Sequence, residues 1–178
     1  MDPSETIEKF KTLFFVKSSL ISLYLALTIP IPFVSIEVLK IPSIITFFLG
    51  LYLIINITSD YVETCNKKIS YKTSFISKTL GKKNWEISWK DIKLIKSLPT
   101  SQGSKVYYFN TYQGDNFLVP QRVENFEKFL LIVSRNTGIS VNELSYISPL
   151  WTYKLLTLLS VFMIDGELFA FFFKYYQY

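Results

Sequence analysis

Two stretches of nineteen residues without a charged side chain, Ser18–Ile36 and Ile41–Ser59, constrain this chain more than anything else in it. As helices, at 1.5 Å rise per residue, each would span roughly 28 Å, about the thickness of a bilayer's hydrocarbon core. The second reads IPSIITFFLGLYLIINITS, with Phe, Leu and Ile on every side rather than along one stripe, the pattern of a helix that faces lipid. In the first, Pro30 and Pro32 each lack an N–H donor and bias the preceding residue away from helical geometry, so the helix is expected to stop at Pro30. The link through Glu37 and Lys40 is short, which predicts a helical hairpin with both ends on one side of the membrane. A cleaved leader is disfavoured, because Asp2, Glu5 and Glu8 are mixed with Lys9, Lys11 and Lys17, no small-x-small site follows, and a second span comes at once.

The 178 residues leave room for one water-facing domain beside these helices. Hydrophobic residues make up 49% and aromatic residues 17%, which fits a chain with side chains turned to lipid. There is no histidine and one cysteine, Cys65, so an intramolecular disulfide is excluded and zinc, haem and imidazole-based chemistry lose their usual ligands. Cys65 has no histidine to activate it and is expected to be inert. No phosphate-binding glycine loop, HExxH, GxSxG or CxxC occurs. No catalytic residue, metal site or cofactor is therefore expected, and the chain is not expected to be an enzyme.

Residues 1–59 are assigned to the hairpin, 60–148 to a soluble domain and 149–178 to an apolar C-terminal segment. In the middle portion, Ser70–Phe75, Trp85–Trp89, Ile92–Leu98, Val106–Tyr112 and Asn116–Val119 are rich in β-branched and aromatic residues and predict at least five strands. Gln113-Gly114-Asp115 and Pro99–Ser104 read as turns between them. After Pro120 the spacing becomes helical, with Val123, Phe126, Phe129, Leu130 and Val133 on one face and Gly138 as a stop. The last segment has a proline at its start and Trp151, Tyr153, Tyr175, Tyr176 and Tyr178 at its two ends, in the manner of aromatic belts. Asp165 and Glu167 interrupt it, so it reads either as a third span or as a re-entrant or interfacial helix. An acid inside a membrane suggests a proton, ion or partner contact; a helix broken at Asp165-Gly166 would instead leave both acids near the surface.

From Asp60 to Lys154 there are 14 Lys or Arg against 8 Asp or Glu, with the lysines crowded towards the start of the domain. Lys9, Lys11 and Lys17 before the first span place the N-terminus and the domain on the cytoplasmic side or its equivalent. Lys67, Lys68, Lys72, Lys82 and Lys83 are the candidate contacts to anionic headgroups or an acidic partner, the other reading being a solvated strand face. Tyr107, Tyr108 and Phe109 read as packing residues in a strand, so nucleic acid is not an expected partner.

The phrase Trp89-Lys90-Asp91-Ile92-Lys93-Leu94-Ile95, behind two N-terminal spans and within strands closed by a helix, resembles the bacterial pleckstrin-homology-like membrane proteins. Thr100-Ser101-Gln102-Gly103, Val106-Tyr107-Tyr108, Phe117-Leu118-Val119-Pro120-Gln121, Phe126-Glu127-Lys128-Phe129-Leu130, Thr137-Gly138-Ile139 and Pro149-Leu150-Trp151-Thr152-Tyr153 resemble a family of uncharacterised cyanobacterial membrane proteins over residues 85–155. The layout is also similar to that of the photosystem I assembly factor of cyanobacteria and plastids, which implies a thylakoid scaffold role. The expected fold is an α+β membrane protein, with a pleckstrin-homology-like antiparallel sheet or barrel closed by one amphipathic helix. The expected function is a non-catalytic module in the plasma or thylakoid membrane, facing cytoplasm or stroma, that docks a protein partner or lipid. Its alternative is an assembly factor or small subunit of a larger membrane complex.

Overall fold

The computed structural model of the protein describes residues 7–101 and 103–176. Asp2, Glu5, Gln102, Tyr178 and the side chain of Tyr175 lie outside the described residues. The fold is α+β, and the chain divides into two units: the residues up to Leu13 with Ser59–Pro149, and Phe14–Thr58 with Leu150 onward.

The first unit holds two antiparallel sheets. Strands β1 (Glu8–Lys11), β2 (Tyr61–Thr64), β3 (Lys68–Lys72) and β4 (Trp85–Ser88) form one in that order. Strands β5 (Ile92–Pro99), β6 (Lys105–Thr111) and β7 (Asn116–Leu118) form the other. No ladder among the described residues closes the two into a barrel. Helix α5 (Phe126–Thr137) follows the strands. Phe126, Phe129, Leu130 and Val133 are buried at helical spacing, and Phe10 meets Phe129 edge-on with ring centroids 5.5 Å apart. Val62, Ile69, Ile87, Trp89 and Phe109 complete the centre of the core. The indole N–H of Trp89 donates to the Cys65 carbonyl at 2.7 Å, so a large ring is buried without stranding its polar atom. Gly138 ends α5 in the left-handed conformation, φ 72°, as its position required.

Several elements depart from the sequence expectation. β1 lies in the segment assigned to the hairpin, yet pairs along its whole length with β2, from Glu8 opposite Thr64 to Lys11 opposite Tyr61. The chain leaves the sheet after β1, makes the hairpin, and returns as β1's neighbour. The strand expected over Ser70–Phe75 ends at Lys72, and a short helix, α4 (Phe75–Thr79), begins instead. Asn84 Oδ1 accepts from the Thr73 N–H at 2.8 Å and its hydroxyl at 2.7 Å, and the Ser74 hydroxyl caps the helix by accepting from the Ser77 N–H. Trp89 belongs to a 3-10 turn, Trp89–Asp91, rather than to β4. Val123 precedes α5 and bridges to Thr12.

The second unit holds α1 (Phe14–Thr28), α2 (Pro30–Val34), α3 (Glu37–Ile57) and α6 (Leu150–Tyr176). The first helix does stop before Pro30, but a new one starts there, because a proline in a first turn gives up an N–H that has no intrahelical partner. Glu37 and Lys40 form an ion pair in the first turn of α3 rather than a separate link. α6 runs unbroken through Asp165-Gly166, so of the two sequence alternatives the helix broken there is absent. Phe14–Val34, Glu37–Ile57 and Leu150–Lys174 are each long and apolar enough to cross a membrane.

Small residues let these helices approach. Ser19 and Ala26 on α1 and Ser160 on α6 are each only 1% exposed. Lys154 lies over the Phe15 ring at 4.9 Å, and Phe33 meets Phe171 at 5.4 Å, so α6 runs alongside α1 and α2 in the same direction. The Tyr24 hydroxyl donates across to the Phe47 carbonyl of α3 at 2.7 Å, over Gly50. A Cβ at Gly50 would lie 2.3 Å from the Tyr24 oxygen, which explains a glycine inside this helix.

Candidate functional site

The lysines come to lie by the alternation of β3. Ile69 and Tyr71 turn towards the core, so Lys68, Ser70 and Lys72 share the outer face of the four-stranded sheet. The register places Lys9, Glu63, Ser70 and Glu86 in one row across this face. Lys9 bonds Glu63 at 3.0 Å and Lys68 bonds Glu86 at 2.8 Å. The hydrogen bond from Lys68, the largest influence, together with the charges of Lys68 and Lys72 outweighs desolvation and holds the Glu86 carboxyl below its usual range. The hydrogen bond and charge of Glu63 raise the Lys9 ammonium in the same way. Glu63, Cys65, Lys68, Ser70, Lys72 and Glu86 line a shallow hollow there with charges of both signs.

The five candidate lysines are not one cluster. Lys68 and Lys72 are separated by four residues of strand, roughly 13 Å. Lys67 lies in the β2–β3 turn, while Lys82 and Lys83 lie just before β4, at the opposite end of β3. At that end stands Asp60, a residue that sequence reasoning took only as the start of the domain. It is 4% exposed, and its carboxylate accepts from the Ser74 N–H at 2.9 Å, from Lys82 Nζ at 2.8 Å and from the Tyr71 hydroxyl at 3.1 Å. Burial pushes the Asp60 carboxyl up, but hydrogen bonds from Lys82, Ser74 and Ser77 and the Lys82 charge outweigh it and hold it below its usual value. Burial, followed by the neighbouring Asp60 charge and hydrogen bond, drives the Tyr71 phenol well above its own. The sequence signal for this node was a lone acid directly after an uncharged run, ahead of Ser74-x-x-Ser77.

Asp165 and Glu167 project from the continuous α6 in different directions, as their spacing required. Asp165 is exposed. Glu167 is half-buried and faces a groove with Ile29, Pro30, Phe33, Phe171 and Lys174. Its Oε2 is buried and has no hydrogen-bond partner among the described residues. Cys65 is buried. Among the described residues, no three His, Cys, Asp or Glu side chains come together as metal ligands would.

No family model matches the chain. It is 31% identical over 159 residues to the uncharacterised protein slr0269 of the cyanobacterium Synechocystis sp., a match covering 85% of this chain and 79% of the relative. The chain belongs to the slr0269 family. A match of that extent leaves too little of the chain outside it to spare α3 or the strands β2 to β7, so the aligned stretch takes in both. It reaches well beyond residues 85–155, where the cyanobacterial resemblance was read.

Proposed function

We propose that the chain is an integral membrane protein whose apolar helices carry a pleckstrin-homology-like domain at the cytoplasmic or stromal face. The domain serves as a non-catalytic docking module for a protein partner or anionic headgroups. The observation that carries this reading is the insertion of the hairpin between two hydrogen-bonded neighbours, β1 and β2. Lys11 stands opposite Tyr61, so the chain departs and returns within one strand spacing, and an inserted hairpin must then cross a bilayer an even number of times. Two antiparallel sheets followed by an amphipathic helix also support the pleckstrin-homology-like reading. Resistance of the native protein to alkaline carbonate extraction tests the anchoring. Affinity purification from native membranes tests the docking: the wild type should retain partners or anionic lipid that a variant with Lys67, Lys68, Lys72, Lys82 and Lys83 changed to Gln does not. Identical recoveries from both would remove the lysines from the function.

A second reading, a small subunit or assembly factor of a larger membrane complex, is favoured by one observation, the unpartnered Glu167 Oε2 in an apolar groove. A buried acceptor in hydrocarbon calls for a donor, and a neighbouring protein's helix is one source of it. On native gels of gently solubilised membranes, Glu167→Gln should shift the protein from a larger band towards its own mass. Migration of the wild type at its own mass alone would argue against this reading.

A further inference from the structure

The segment from Lys72 to Lys83 carries four lysines and no acid. Within it Phe75 is 80% exposed and Leu80 67% exposed, although both lie in a capped turn with a buried Ser77. Isolated exposed apolar side chains are ordinary. Here two large ones are interleaved with Lys78 and Lys83, the composition of a segment that settles at a membrane interface. The position of the loop is set by Asp60, the third residue beyond the last residue of α3. One oxygen of its carboxylate holds the Ser74 N–H at the start of the loop and the other holds Lys82 near its end. Asn84 closes the base by bonding Thr73. The loop is therefore tied at both ends to Asp60, three positions along the chain from the last residue of α3.

We propose that the α4 loop is a second attachment of the domain to the bilayer: Phe75 and Leu80 enter the headgroup layer while Lys78 and Lys83 meet anionic headgroups. This rests on the membrane anchoring proposed above, since the same bilayer that ends α3 must be the one the loop touches. The occupant is lipid because two large apolar side chains stand exposed among lysines with no acid between them, on a loop held by a residue only three positions along the chain from a membrane-length helix. Asp60 takes Lys82 as an internal strut, and Lys78 and Lys83 remain exposed for headgroups.

The test uses the full chain in proteoliposomes with Cys65→Ala as background and single spin labels at Phe75→Cys, Leu80→Cys and Asn66→Cys. Asn66 is exposed in the β2–β3 turn, at the other end of β3. In vesicles containing phosphatidylglycerol, labels at 75 and 80 should lose most of their accessibility to a water-soluble nickel chelate and gain accessibility to oxygen, while the label at 66 does neither. In pure phosphatidylcholine the protection at 75 and 80 should weaken. Labels at 75 and 80 as open to the chelate as the label at 66, in protein that still resists carbonate extraction, would overturn the attachment and leave the anchoring intact. Equal protection in both lipids would strike the lysines from the site. Protection seen only in native membranes would replace the lipid by a protein partner. Phe75 and Leu80 are exposed, so neither cysteine variant disturbs the core.

Discussion

Asp60 is almost wholly buried yet held in its charged form by donors from three directions. Its folded pKa lies below the ordinary 3.8, so the stabilisation it contributes is complete above that pH and is lost as pH falls through the folded value. The acid limb of a stability profile should accordingly begin below about pH 4 and flatten in Asp60→Asn. Tyr71 has the opposite sign. Its pKa is raised from 10.0, so its contribution is present below that and lost as pH rises beyond it, and Tyr71→Phe should flatten the alkaline limb. Thermal unfolding of the detergent-solubilised protein, followed by tryptophan fluorescence against pH, checks both. Asp60→Ala strands the Ser74 N–H and should cost about 1–3 kcal/mol. Lys82→Gln, at a half-exposed partner, should cost no more than about 1 kcal/mol. Equal losses in the two variants would mean that the ion pair, rather than the loop geometry, matters most. None of this could be read locally, because Asp60 finds its partners eleven to twenty-two residues on.

At the scale of elements, α5 was legible because its apolar residues recur at 3.6-residue spacing and a glycine follows. Phe129 is fully buried against Phe10 and Phe126, and Phe129→Ala should destabilise the domain by about 3–5 kcal/mol in denaturant unfolding. β1 was not legible. Glu-Lys-Phe-Lys offers one core residue, and the partner that makes it a strand arrives only after the whole hairpin. Phe75 looked like the end of a strand since aromatic residues favour strands; Ser74 and Asn84 capture the backbone instead. In the helical unit Gly50 is the sharpest test. Gly50→Val should lower the unfolding midpoint in detergent through collision with Tyr24, whereas Tyr24→Phe, losing one bond between helices, should cost about 0.6 kcal/mol. A Gly50→Val protein as stable as the wild type would mean that α1 and α3 do not meet there.

At the scale of the molecule, the proposed crossing of a bilayer by the hairpin inserted between β1 and β2 would tie membrane topology to sheet pairing. With Cys65→Ala as background, Ser35→Cys and Asn66→Cys should react with an impermeant maleimide from opposite faces of sealed vesicles. Ser35 sits between α2 and α3 and Asn66 in the β2–β3 turn. Reaction of both from one face would rule out the crossing.

Length and hydropathy are additive along the chain, so the sequence alone determined two long apolar helices, a strand-rich stretch after them, the amphipathic helix that follows it and an apolar C-terminal segment. Pairing, ion-pair geometry and groove formation depend on residues far apart in the chain. Only the tertiary structure could decide that β1 joins the domain's sheet, that the candidate lysines separate, two of them to partners on neighbouring strands and loops, and that α6 stays intact through Asp165-Gly166. The two apolar runs that opened the sequence are thus, in chain order, an excursion between adjacent strands of one sheet, because β1 and β2 on either side of them are hydrogen-bonded neighbours.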